Sequence, residues 1–241
     1  MTETQLSRFK DAPWFPKKEV SCIVGGAGGI GSWLTLLLAR AGFKPIVYDY
    51  DIIEEHNIGG QLYTTKAVKE NQYKIDCLDN IVKNFSDTSI TTFNDKYTET
   101  SMGHKYMFSA FDNMKARKDM FNVWKQLIKD TIEYNGVAAI DTPNNLTGIF
   151  IDGRLNAEQL QIFCVTFDTM DKYEKYLFSD EEVPDTPCTF KQTSHVAAII
   201  AGLMTSFFTN YLTNVVSNSD DRKVPFMFEY FIPINYINEI E

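Results

Sequence analysis

Apolar and polar residues change rhythm repeatedly along the chain, and the rhythm predicts strands alternating with helices. Residues 20–24 are a short apolar run, the mark of a buried strand. Trp33, Leu34, Leu37 and Leu38 then recur at helical spacing, and a second apolar run at 45–48 predicts the next strand. Residues 52–61, with Gly59 and Gly60, read as a loop. Ile75, Leu78, Ile81 and Val82 predict a helix over 68–85, followed by short strands at 89–93 and 106–111. Met120, Phe121, Trp124 and Leu127 mark an amphipathic helix over 115–128. Residues 131–140 read as a strand, 141–145 as a turn, and 146–151 and 160–167 as further strands, read as an antiparallel pair. An acidic and aromatic stretch, 168–187, reads as a loop or lid, 195–216 as an apolar helix, and 225–237 alternates like a terminal strand.

Strand and helix alternate through the first half, so the expected fold is α/β and Rossmann-like. Its sheet is largely parallel with helices on both faces, and antiparallel strands come toward the C-terminus. In such sheets ligands sit at the C-terminal ends of the strands. The expected organisation is an arm over 1–17 and a single domain over 18–241. Pro13 and Pro16 discourage a continuous helix in the arm.

Composition narrows the class. The 241 residues carry a net charge of −9, which argues against a nucleic-acid surface. Cys22, Cys77, Cys164 and Cys188 are scattered without a CxxC pair, which suggests free thiols in a reducing compartment. The N-terminus has no apolar signal core, and the most apolar stretch, 196–208, reads as too short to span a bilayer. The expectation is a cytoplasmic protein with no membrane or nucleic-acid partner.

The chemistry concentrates after the first strand. Gly26, Gly28 and Gly31 follow the dinucleotide-binding spacing, inside a strand–turn–helix context. Gly26 permits the tight turn, Gly28 lets backbone approach a phosphate, and Gly31 lets the helix press on the strand. The helix start offers free N–H groups and a positive dipole end to an anion. Asp49 and Asp51 stand 23 and 25 residues after Gly26, where an acid can accept hydrogen bonds from ribose.

Taken in order, Gly26-Ala27-Gly28-Gly29-Ile30-Gly31, Asp49 and Asp51, Asn57 to Gln61, Lys74, and Asp112-Asn113 resemble the E1-like ThiF/MoeB/HesA superfamily of adenylyltransferases. Members activate the C-terminal carboxylate of a ubiquitin-like protein or peptide with ATP. The resemblance implies a triphosphate on the turn from Gly26 to Gly31 and a ribose held by Asp51 with Asp49 beside it. It implies Asn57, Gln61 and Lys74 facing the phosphates, and magnesium on Asp112. In many members an arm arginine of the partner subunit reaches the γ-phosphate, and Arg8 is the arginine in this arm. The implied catalytic set is therefore Lys74, Asp112, Arg8 and Gln61, in a homodimer. Cys188 precedes the apolar helix where some members place a reactive cysteine; its plainer reading is an incidental thiol.

The sequence departs from the family pattern at two places. Gly60 stands where the family has an arginine, which removes a triphosphate contact that Lys66, Lys69 or Arg154 would have to replace. The CxxC pairs that hold zinc in many members are absent, so no zinc is expected. Adenylation itself needs no general base, because the attacking carboxylate is already anionic. The demand is electrostatic, which is why lysine, arginine and magnesium are the types required. A catalytically weak or inactive E1-like partner protein and an NAD(P)- or FAD-dependent oxidoreductase are the rival readings.

Overall fold

A computed structural model of the chain describes residues 6–15, 18–135, 148–178 and 193–241. The first βαβ unit is β1 (Ser21–Gly25), α1 (Gly29–Arg40) and β2 (Lys44–Tyr48). The strands pair in parallel, with Ser21 opposite Lys44 and Gly25 opposite Tyr48. Then follow α2 (Thr65–Lys69), α3 (Lys74–Ser86), β3 (Thr91–Phe93), β4 (Tyr106–Ser109) and α4 (Met114–Asn135). The second half holds β5 (Ile149–Asn156), β6 (Gln159–Val165), α5 (Met170–Glu174), α6 (Ser194–Ser217), β7 (Met227–Phe231) and β8 (Tyr236–Ile240).

The described strands form one sheet in the order β3-β2-β1-β4-β5-β6-β7-β8. The first five are parallel, and β6, β7 and β8 join antiparallel, as the alternating pattern predicts. Helices cover both faces. Cys22 and Val24 of β1 face a core with Leu34, Leu78 and Phe208 from α1, α3 and α6. Ile23 faces the other way, toward Phe121, Trp124 and Tyr173 of α4 and α5. Alternate residues of one strand thus feed two separate cores.

Several boundaries differ from the sequence reading. The helix expected over 68–85 is two helices, because Asn71 adopts φ 48° and its neighbour Gln72 donates back to the Ala67 carbonyl. Asparagine tolerates that left-handed backbone, and it closes α2. The strand expected at 131–140 is not one in its described part, which is the end of α4. Ile128 and Ile132 carry on the buried stripe of Phe121 and Trp124, and that stripe overrides the β-branched local preference. The terminal strand over 225–237 is a hairpin, β7 and β8, broken at Pro233 and at Asn235 with φ 50°.

The start of the 168–187 stretch is helical, with a 3-10 turn and α5. Residues 179–187, the turn at 141–145 and Cys188 lie outside the described residues. Helix α6 has 24 residues and is long and apolar enough by length and composition to cross a membrane, which corrects the shorter estimate. Its buried side, with Ile200, Met204 and Phe208, packs on α1, β5 and β6 as a core helix does.

Candidate active site

The glycine turn is built as its spacing demands. Gly26 has φ +90°, and a Cβ there would stand 2.9 Å from the Ala110 carbonyl oxygen. A Cβ on Gly31 would stand 1.8 Å from the Gly26 oxygen, so α1 touches the turn backbone to backbone. Gly28 is different: a Cβ there meets no atom within 4 Å. The protein's own packing therefore does not demand glycine at 28, and open space lies above it. Helix α1 begins at that space with no side-chain cap on its N-terminus. An uncapped helix start beneath a bare backbone fits a phosphate.

Two side chains hold the turn. Asp49 accepts from the Ala27 amide at 2.7 Å and from the Asp51 amide at 2.9 Å, so it ties the turn to the acid pair. Burial raises the Asp49 pKa, against the Lys74 charge and the two amides. Tyr63 donates to the Ala27 carbonyl at 2.5 Å, and burial keeps its phenol well above the ordinary range. The sequence reading placed Asp49 beside the nucleotide or as an orienting residue of the turn, and it missed Tyr63. A buried tyrosine near a polar loop carries no pattern that points to the turn.

Asp51 and Lys74 meet across the start of α3. Lys74 Nζ lies 2.7 Å from Asp51 Oδ2, with the lysine side chain 8% exposed and the aspartate 47%. Lys74 opens α3, where burial and the positive dipole end both disfavour a cation. Asp51 offsets both. The break at Asn71 and the Ile52–Tyr73 bridge put Lys74 there, and its amide donates to the Asp51 carbonyl at 2.9 Å. Asp51, Asn57 and Lys74 line one cavity of about 340 Å³, with Tyr50, Ile52, Glu54 and His56. Within it the Asn57 carboxamide oxygen accepts from the Glu54 amide at 2.9 Å and closes the loop.

The other expected residues are placed differently. Gln61 has its Oε1 buried with no partner among the described residues. Asp112 is exposed beyond the end of β4, next to β1, and its Oδ1 accepts from Asn113 at 3.2 Å. Asn113, not Asp112, caps α4, accepting from the Ala116 amide at 2.8 Å. Among the described residues no group of three or more His, Cys, Asp or Glu converges as a metal site. A magnesium ion carried by phosphates needs only one or two carboxylates, and Asp112 fits that role.

Arg8 is exposed at the far end of the sheet. Phe9 stacks on Trp14, and Trp14 packs on Phe43 at the start of β2, the end opposite the glycine turn. Of the cations that could replace the missing arginine, Lys66 pairs with Glu70 at 3.7 Å and Lys69 is exposed. Arg154 is committed to Asp152 at 2.7 Å.

A second polar cluster was not foreseen. Asp152, fully buried, accepts from Arg117, from Arg154 and from the Tyr173 hydroxyl at 2.9 Å. Its signal in the sequence is a lone acid inside the apolar strand 149–152, and an arginine four residues after Asn113.

The ThiF family matches residues 16–234. The chain belongs to the ThiF family. No curated protein matches the sequence. Among solved structures, PaaA is similar with a TM-score of 0.68 and 15% identity, over 100% of this chain and 84% of that one. E. coli MccB with ATP is similar with a TM-score of 0.68 and 14% identity, over 99% of this chain and 71% of that one. MccB with AMPCPP and MccA gives 0.68 and 13%, over the same shares. At these identities the likeness concerns the fold. ThiF membership agrees with the Rossmann-like sheet and its antiparallel second half.

Proposed function

We propose that this ThiF-family chain is an adenylyltransferase, using ATP to activate the C-terminal carboxylate of a peptide or ubiquitin-like protein and releasing pyrophosphate. We infer further that it works as a homodimer in the cytoplasm. The observation that carries the reading is buried Lys74 paired with half-exposed Asp51 on a cavity, tied through Asp49 to an uncapped glycine turn with open space at Gly28. The similar fold of MccB has been solved with ATP, and with AMPCPP together with MccA, which supports a nucleotide and an acceptor on one scaffold.

The residues divide the electrostatic work. The N–H groups at the start of α1 bind phosphate oxygens. Lys74 offsets charge on the phosphates as the acceptor carboxylate approaches, and Asp51 turns to the ribose hydroxyls. Asp112 would hold magnesium, which supplies charge neutralisation on the leaving pyrophosphate. The attacking oxygen needs no base.

The test is exchange of labelled pyrophosphate into ATP in the presence of candidate acceptor peptides. Lys74→Ala and Asp112→Ala are each expected to lower exchange by about 100-fold or more, near 3 kcal/mol, the scale of one lost charge-stabilising donor. Unchanged exchange in both variants overturns the assignment. Tight ATP binding without any exchange would favour a non-catalytic E1-like partner, the reading to which Gly60 in place of arginine points.

A further inference from the structure

The buried cluster around Asp152 lies at the level of the glycine turn. Sheet register sets Asp152 of β5 opposite Ser109 of β4, and Ser109 opposite Gly25 of β1. Three residues after Ser109 comes Asp112. Burial alone would raise the Asp152 pKa, but the Arg117 and Arg154 charges outweigh it and hold the carboxyl below its ordinary value. The two arginines have separate duties. Arg154 reaches α5 and the residues after it, donating to the Tyr176 carbonyl at 3.0 Å and to the Tyr173 hydroxyl at 3.3 Å.

Arg117 faces the turn between β4 and α4. It sits in the first turn of α4 and is 6% exposed. One terminal nitrogen donates to Asp152 Oδ1 and to the Gly153 carbonyl at 2.9 Å; the other donates to the Phe111 carbonyl. That carbonyl belongs to the peptide unit that carries the Asp112 amide. The planar guanidinium thus ties the backbone just before Asp112 to a strand in the middle of the sheet. A buried arginine at the positive end of a helix is electrostatically costly. Three acceptors placed around it offset that cost, one of them on the turn itself. The Asp112 side chain, by contrast, is exposed and accepts a hydrogen bond from its neighbour Asn113.

We propose that Arg117 is the positioning residue for Asp112, fixing through the Phe111 carbonyl and Asp152 where the Asp112 carboxylate meets the metal of a metal–nucleotide complex. The inference rests on the adenylation reading. It assigns Arg117 to metal affinity and Arg154 to the far side of the cluster.

Binding of Mn(II) with ATP, followed by electron paramagnetic resonance, tests it without requiring turnover. Arg117→Lys keeps the charge but loses the fork. It is expected to weaken Mn(II) binding in the presence of ATP about tenfold, the usual cost of disturbing what supports a metal ligand. Metal-free ATP binding should stay within about twofold, because Asp112 meets the nucleotide through the metal. Amide hydrogen exchange at 112–114 should speed up in the same variant. Arg154→Gln, which leaves the Phe111 contact intact, should keep wild-type Mn(II) affinity. Should Arg117→Lys fail to fold, the near-isosteric Asp152→Asn loosens Arg117 in place and must weaken Mn(II) in the same direction. Equal affinity in wild type and Arg117→Lys overturns the inference and leaves the adenylation reading standing. No Mn(II)–ATP binding by the wild-type protein overturns the adenylation reading, and this inference with it.

Discussion

At the scale of single residues, the glycine turn separates what the fold needs from what a ligand needs. Gly31 has the Gly26 oxygen against its Cα, while Gly28 has open space. Gly31→Ala is expected to destabilise the protein by about 3 kcal/mol or more, since neither backbone can give way. Gly28→Ala should cost about 1 kcal/mol or less, the scale of an N-cap change, yet abolish measurable ATP binding. Urea unfolding and equilibrium ATP titration read the two effects separately. Equal stability loss in both would show that Gly28 is structural. The three motif glycines look alike in the sequence, and spacing alone could not rank them. Their difference lies in which atoms from β4 and α1 come near each one.

At the scale of elements, Asp152 joins β5 to α4 through Arg117 and to α5 through Tyr173. A carboxylate held below its ordinary value binds fewer protons in the folded protein than in the unfolded chain. Its stabilisation is therefore complete above about pH 4, the ordinary carboxylate range, and is lost as pH falls through the lowered folded value. Unfolding free energy measured by urea from neutral to acid pH should fall below about pH 4 in wild type, and fall less in Asp152→Asn. Identical acid limbs would show that the cluster does not store this stability. Elements were legible where one periodicity ran unbroken, as in α1, α6 and the strands at 20–24 and 45–48. They were misread where a single backbone decision intervened. Asn71 cut one expected helix in two, and Pro233 with Asn235 folded one expected strand into a hairpin. The first cut has consequences for the site, because it starts α3 at Lys74 beside Asp51.

At the scale of the whole molecule, the arm lies on the end of the sheet away from the glycine turn. Trp14 anchors it on Phe43, so Arg8 cannot reach the turn of its own chain without leaving that contact. If Arg8 serves adenylation, it serves a second copy. Sedimentation should then find twice 27.6 kDa. Mixing Arg8→Ala with Lys74→Ala subunits should restore about a quarter of wild-type exchange, because half the dimers are mixed and each holds one intact site. A monomer, or no restoration on mixing, rules this arrangement out.

The sequence by itself determined the class of fold and the order of the nucleotide motifs, because hydrophobic period and glycine spacing are local properties of the chain. It also placed Asp51, Lys74 and Asp112 among the candidates. Only tertiary structure decided what each of them touches. Asp49 closes the turn, Asn113 caps α4, and Arg154 is claimed by Asp152. Arg117 entered unannounced. Those outcomes depend on register across the sheet and on which charges burial forces together, and neither is written in any short stretch of residues.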